Sequence, residues 1–136
     1  MALTLKRLLQ YTPNSRKDKA DQVRIKATKV KKTPKGYPMI LAKTESMQDA
    51  KGQAKYVSKR TTYLSSIEVY PKGYVIVSCG CDDFCFTWEY ANNKRGASRI
   101  EYCNGEAPGV RNPGESPGMC KHLVKLAQYI QDKGLA

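Results

Sequence analysis

Residues 67–81 read IEVYPKGYVIVSCGC, and this stretch predicts a β-hairpin. Two runs rich in β-branched and aromatic residues flank a compact Pro-Lys-Gly turn. The second run ends in the motif Cys79-Gly80-Cys81. Residues i and i+2 of a strand point to the same side, and the glycine permits a bend. We therefore expect both thiols to face one point at the end of the hairpin.

A second hairpin is predicted closer to the N-terminus. Residues 22–30 alternate apolar and cationic side chains, which is typical of a half-buried strand with a charged outer face. A turn at 31–36 leads to a returning strand at 39–42. Leucines at helical spacing predict a short helix over 3–10. Residues 45–60 are polar and basic without clear periodicity, which indicates a loop or a weak helix.

Residues 84–91, FCFTWEYA, fit two kinds of element. Their aromatic residues alternate as in a strand, but helix caps are present at both ends. Asp82 or Asp83 suits an N-cap, a role we favour over a catalytic carboxylate pair, and Gly96 suits the C′ position. Caps have a physical mechanism, so we predict a helix.

The last third of the chain predicts a long loop followed by a helix. Residues 96–118 hold five of the ten glycines and three of the seven prolines. Residues 120–133 form an amphipathic pattern that ends at a glycine. The predicted fold class is α+β, with small antiparallel β-hairpins and a C-terminal helix. We expect two regions, a basic one at 1–60 (short helix, β-hairpin, loop) and a metal-binding one at 61–136.

A candidate metal site joins two short motifs. Cys79 and Cys81 are separated by 38 residues from Cys120-Lys121-His122, which contains the only histidine. Zinc prefers four nitrogen or sulfur ligands, usually in two close pairs. On a regular helix, residues i and i+2 lie about 200° apart, so the second pair can converge only at the entry turn. We predict a structural Zn²⁺ site whose four protein ligands leave no position for a substrate water.

Other roles for these cysteines stay open. Cys85 or Cys103 can compete as a ligand, although a buried free thiol is the commoner fate of a cysteine among aromatic residues. The four chosen residues can also be core thiols with a capping histidine. A catalytic pair of Cys120 and His122 would need a third orienting group and a cleft. The chain lacks a phosphate-binding loop, an HExxH motif and a serine elbow, so we predict that it is not an enzyme.

The charge is strongly one-sided. The chain carries a net charge of +12, and residues 1–60 hold 16 basic and 4 acidic residues, whereas 61–136 hold eight of each. Such a segment indicates an acidic partner, which can be nucleic acid, an acidic protein or anionic lipid; the alternative is a solvated face. The predicted partner-binding face comprises Arg16, Lys17, Lys19, Arg24, Lys26, Lys29, Lys31, Lys32 and Lys35.

The sequence also predicts where the protein is made. No window approaches the ~18 apolar residues of a membrane span. The first residues lack the apolar stretch and cleavage site of a signal peptide. We expect synthesis in the cytoplasm without secretion. Thiols stay reduced there, so the odd number of five cysteines favours metal ligands or free thiols over disulfides.

The motif Cys-x-Cys, a long spacer and Cys-x-His at the start of a helix resembles the SWIM-type zinc finger. That resemblance implies a hairpin followed by a helix, and binding of nucleic acid or protein. Its zinc ligands correspond here to Cys79, Cys81, Cys120 and His122. The spacer is longer than in most members of the family, which leaves the local fold of 84–118 open.

A second resemblance covers most of the chain. Four segments are similar to small virion-associated structural proteins of tailed bacteriophages: YTPNSRKDKADQVRIKATKV (11–30), CDDFCFTWEYA (81–91), YCNGEAP (102–108) and NPGESPGMCKHLVKL (112–126). The resemblance implies a component of the phage particle and supplies no mechanism. Together with the zinc motif and the basic region, it leads us to expect a zinc-binding structural or assembly protein that contacts other virion proteins through its basic N-terminal region. The alternative is a zinc finger module that binds DNA or RNA.

Overall fold

Four strands form one antiparallel sheet in the order β1-β2-β3-β4. The computed structural model describes residues 3–46, 62–81, 83–99, 112 and 116–134. The strands are β1 (Val23–Lys32), β2 (Pro38–Ser46), β3 (Thr62–Val69) and β4 (Val75–Cys79). With the helices, the sheet gives an α+β architecture, which confirms the predicted fold class.

Four α-helices accompany the sheet in the described residues. They are α1 (Leu5–Tyr11), α2 (Asn14–Lys19), α3 (Glu89–Lys94) and α4 (Lys121–Asp132). A π-helical turn, Phe84–Trp88, leads directly into α3, so the helical prediction for 84–91 is confirmed. Gly96 and Gly134 adopt positive φ angles of 72° and 68° at the ends of α3 and α4, as the C-terminal stop signals predict.

Both predicted hairpins are present. β1 pairs with β2 and β3 pairs with β4, and β1 contains a bulge between Ile25 and Ala27. β2 also pairs with β3, from Met39 opposite Glu68 to Glu45 opposite Thr62. The predicted regions 1–60 and 61–136 therefore share one sheet. The loop predicted at 45–60 falls outside the described residues from position 47 onward, as does most of the loop predicted at 96–118.

Helix α4 packs on one face of the sheet, which we call the inner face. Ile40, Ile67 and Val77 form a row of buried side chains across β2, β3 and β4 on this face. The helix contributes its apolar side to the same core because these residues recur at helical spacing. Its buried apolar residues are Leu123, Val124, Leu126, Ala127 and Ile130.

The two edges of the sheet differ. On β4, the outward amide of Val75 donates to the carbonyl of Leu3 (3.0 Å), and that of Val77 donates to the carbonyl of Ala97 (2.7 Å). The hydroxyl of Ser98 donates to the carbonyl of Val77 at 2.6 Å. In the described part of the chain, β1 pairs only with β2. One edge is thus covered by two segments of the chain, and no described segment covers the other.

Candidate metal centre

Four buried side chains meet between the end of β4 and the start of α4. The ligand atoms of Cys79, Cys81, Cys120 and His122 all lie within 4.8 Å of one another. The structure therefore brings together the four residues predicted from the sequence, in an arrangement that can bind a metal ion.

The local backbone structure explains how the side chains of Cys120 and His122 converge with those of Cys79 and Cys81. Cys120 is extended (φ −73°, ψ 168°) and immediately precedes α4, so His122 lies in the first helical turn. Asn92 fixes the approach, because its side chain donates to the carbonyl of Gly118 (2.7 Å) and accepts from the Gly118 amide (2.9 Å). A Cβ atom on Gly118 would lie 2.8 Å from the ring of Trp88. This glycine is needed for close approach to the indole ring.

The imidazole of His122 lacks the partners that a buried ring needs. The residue is 3% exposed, and neither ring nitrogen has a hydrogen-bond partner among the described residues. The ring of Tyr63 packs against it with a centroid distance of 5.0 Å. Buried polar atoms without partners carry a desolvation cost of about 1–3 kcal/mol. A metal bond to one nitrogen would offset that cost.

The three thiols influence one another strongly. Burial alone would raise the pKa of Cys79, but hydrogen bonds from the thiols of Cys120 and Cys81 and from the Ser65 hydroxyl outweigh it and lower the pKa well below its ordinary value. Burial raises the pKa of Cys120 well above its ordinary value, and its two thiol neighbours add to the rise. The cluster thus favours ionisation of the Cys79 thiol and opposes ionisation of the Cys120 thiol beside it. A divalent cation would allow several thiolates to coexist.

Two hydroxyl groups of the sheet form a chain of contacts that ends at the sulfur of Cys79. The Ser65 hydroxyl donates to that sulfur at 3.4 Å, and the Thr44 hydroxyl lies 3.3 Å from the Ser65 hydroxyl. Sequence reasoning missed both residues. Ser65 could have been identified from the sequence, because pairing the predicted hairpin symmetrically about its turn places Ser65 directly opposite Cys79. Thr44 lies on β2, where the sequence offers no comparable register signal.

Cys85 does not join the cluster. It is partly buried and disulfide-bonded, which corrects the interpretation of this residue as a free thiol or a competing ligand. Cys103, the other competing cysteine, lies outside the described residues.

Asp83 has a different role from the predicted N-cap. Its side chain makes no capping hydrogen bond. Instead, Arg16 donates to both carboxylate oxygens at 2.7 and 3.1 Å, while Trp88 and Thr87 donate at 3.3 and 3.2 Å. Burial alone would raise the pKa of the Asp83 carboxyl, but the hydrogen bond and charge of Arg16 hold it below its usual value. The ion pair ties α2 to the segment that follows Cys81.

The predicted basic face divides into engaged and exposed residues. Arg16 is engaged by Asp83, and Arg24 and Lys26 reach the buried carboxylate of Glu45 at 3.8 and 3.4 Å. Lys17 is partly buried. Arg24 and Lys26 are themselves exposed. The exposed members that form no ion pair with a described carboxylate are Lys19, Lys29, Lys31, Lys32 and Lys35.

Within the described residues, no helix combines the length and apolar character needed to cross a membrane. No family model matches the chain, and neither does any curated protein or solved structure.

Proposed function

We propose that this chain is a non-enzymatic structural or assembly protein whose fold is held together by one Zn²⁺ ion. The observation that carries the proposal is the meeting of Cys79, Cys81, Cys120 and His122 within 4.8 Å in a buried position. Four protein donors fill a tetrahedral coordination sphere. Such a sphere suits a structural ion rather than a catalytic one.

The chemistry of the donors favours zinc over harder cations. Thiolate and imidazole ligands suit zinc, whereas Mg²⁺ and Ca²⁺ prefer oxygen ligands. The orphaned ring nitrogens of His122 and the three adjacent thiols fit this ion. Apparent zinc binding free energies in small metal domains are on the order of 10–16 kcal/mol. That range is comparable to the ~5–15 kcal/mol net stability of a typical domain.

The proposed place of action is a bacteriophage particle. The four segments similar to virion-associated proteins support this part of the proposal, and the exposed lysines of the basic region supply a surface for contact with another particle component. Under this proposal, zinc connects α4 to the sheet, and the basic region makes the contacts that assemble the particle.

Metal content tests the zinc part of the proposal. We expect elemental analysis of protein purified without chelators to give one Zn²⁺ per chain. X-ray absorption at the zinc edge should show three sulfur and one nitrogen ligand. Protein that folds and stays monodisperse without any bound metal would contradict the proposal.

Particle composition tests the assembly part. We expect the protein in purified virions at a fixed ratio to the major structural proteins, measured by quantitative mass spectrometry. Exchanging the exposed lysines Lys29, Lys31 and Lys32 for glutamine should lower its incorporation. Absence from purified particles would contradict this part and leave the zinc proposal standing.

Nucleic-acid binding is the alternative function, favoured by the exposed lysines of β1. A site that neutralises several phosphates loses affinity steeply as salt rises, with a slope of about −0.9 per phosphate on a double logarithmic plot for duplex DNA. A steep slope with DNA or RNA would support the alternative. The assembly proposal expects weak binding and a shallow slope.

A further inference from the structure

The face of the sheet opposite α4, which we call the outer face, carries a groove of about 410 Å³. The groove crosses β1, β2 and β3. Its lining residues on the outer face are of two kinds, aliphatic and cationic. They are Ala27, Lys29, Lys31, Leu41, Lys43 and Leu64. Thr28 and Ala42 complete the lining.

Strand register places these side chains together. Lys43 of β2 lies opposite Ala27 of β1 and Leu64 of β3, and Leu41 lies opposite Lys29. Residues directly opposite each other in an antiparallel sheet share a face. Leu64 is 48% exposed, which is a large exposed fraction for a leucine in a central strand. The result is an aliphatic floor bordered by three lysines, which we call the groove lysines (Lys29, Lys31, Lys43).

The two glutamates on the same face form ion pairs with residues outside the groove. Glu45 is paired with Arg24 and Lys26, and Glu68 is paired with Arg99. Within the described residues, the groove lysines form no ion pair with a carboxylate. Like charges on neighbouring strands repel one another, so an anionic ligand would relieve a repulsion that the described carboxylates leave in place.

We propose that this groove binds an acidic segment of a partner protein in extended conformation, which deepens the assembly function proposed above. Lys29 and Lys31 are two residues apart on a strand and therefore about 6.6 Å apart. Alternate side chains of an extended peptide have the same spacing, so carboxylates at positions i and i+2 match the two ammonium groups. An aliphatic residue on the same side of the peptide would contact Leu41 and Leu64.

The lining favours a peptide over a nucleic acid. Sites for single-stranded nucleic acids combine positive charge with aromatic side chains on which bases stack. The eight lining residues include no aromatic side chain. Aliphatic floors are instead suited to the side chains of a peptide.

Selection from a display library of short random peptides tests the proposal on the full-length, metal-loaded protein. We expect enrichment of Asp or Glu at alternate positions with an aliphatic residue nearby. The selected peptides should bind through their charges, so glutamine in place of glutamate should abolish most of the affinity. Selection of peptides without acidic enrichment would overturn the proposal.

Protein variants locate the binding site. The double variant Lys29→Gln/Lys31→Gln should weaken binding of the selected peptide by about tenfold or more, because hydrogen bonds between charged groups are lost. Leu64→Ser should also weaken binding. Because Leu64 is exposed, we expect this variant to stay folded, and a thermal melt checks that it does. The matched control is Lys6→Gln/Lys72→Gln, which removes the same charge from two exposed lysines outside the groove. Equal effects of the two double variants would overturn the proposal.

Competition separates this proposal from the others. Excess oligonucleotide, single-stranded or duplex, should not displace the peptide at physiological salt. Displacement that depends on Lys29 and Lys31 would assign the groove to nucleic acid and overturn the peptide proposal. Failure of peptide binding leaves the metal content and the presence in virions unaffected, so it is distinguishable from failure of the proposed function.

Discussion

At the scale of single residues, the metal centre depends on side chains from distant parts of the chain. Cys79 is the last residue of β4 and Cys81 follows it, whereas Cys120 and His122 lie at the start of α4. Removing one donor would leave the other three buried without the cation that we propose they share. Such a change combines a cavity or an unpaired polar group with the loss of metal binding.

We predict that Cys120→Ser or His122→Ala lowers zinc content well below one ion per chain and destabilises the protein by several kcal/mol, on the scale of metal-coupled folding. Elemental analysis and thermal unfolding followed by circular dichroism measure the two effects. Ser66→Ala serves as a control because it keeps all four donors and lies on the opposite face of β3. Unchanged melting with full metal content in either ligand variant would refute the ligand assignment.

Loss of the Ser65 hydroxyl is expected to weaken zinc binding without abolishing it. This hydroxyl donates to the Cys79 sulfur, and partners of metal ligands commonly influence affinity by about 10–100-fold. Ser65→Ala should therefore weaken zinc binding within that range while one ion per chain still binds at saturation. Competition with a chromophoric chelator measures the affinity. The neighbouring change Ser66→Ala, on the opposite face of β3, should leave the affinity unaltered.

At the scale of elements, the approach to α4 is set by close packing. Gly118 lies against the indole of Trp88, and a Cβ atom there would be 2.8 Å from a ring carbon. Gly118→Ala should destabilise the protein by about 1–3 kcal/mol through overpacking. Chemical denaturation measures the loss. Ser116→Ala, an exposed change in the same segment, should cost less than about 0.5 kcal/mol, and equal effects of the two would contradict the packing explanation.

The ion pair between Arg16 and Asp83 connects α2 to the π-helical turn. Both side chains are 30% exposed, so we expect a coupling free energy of about 1 kcal/mol in a double-mutant cycle. The variants Arg16→Gln and Asp83→Asn, alone and combined, provide the cycle from unfolding free energies. Lys17→Gln with Asp83→Asn is the matched control pair and should show additive effects. A coupling of zero for Arg16 would show that the contact contributes nothing to stability.

Several elements were predictable because their signals are local. The hairpin of β3 and β4 follows from two β-rich runs around a Pro-Lys-Gly turn, and α4 follows from its apolar stripe and final glycine. The roles of Asp83 and Arg16 were not predictable, because 67 positions separate them and a capping role is equally available to an aspartate before a helix. The pairing of β2 with β3 was missed for a similar reason, since residues 47–61 separate the two strands.

At the scale of the whole molecule, the N-terminal and C-terminal parts are expected to unfold together. β2 and β3 pair across the predicted boundary, the amide of Met119 donates to the hydroxyl of Thr12, and α4 packs on the sheet. The candidate metal site of this fold was predictable as a set of four residues, because two short motifs of soft donors are distinctive. Its supporting hydroxyl groups belong to the sheet as a whole and required the strand register.

Metal removal tests this coupling. A chelator should lower the melting temperature. It should also abolish hydrogen-exchange protection in β1 and β2 as well as in α4, because the sheet and the helix share one core. Hydrogen exchange resolved by segment measures the response. Zn²⁺ should restore protection, whereas Mg²⁺ should not, since it prefers oxygen ligands. Loss of protection confined to residues near the four ligands would contradict a single cooperative unit.

The unequal edges of the sheet limit how copies of this protein can aggregate. The outward amides of Val75 and Val77 on β4 are already bonded to Leu3 and Ala97, so that side offers no template for another chain. In the described part of the chain, β1 pairs only with β2 and is rich in lysine, so two copies meeting at this edge would bring like charges together. A strand of opposite charge can add there, whereas the covered β4 edge disfavours repetition of that step. We therefore expect growth of a fibre through the edges of this sheet to be disfavoured.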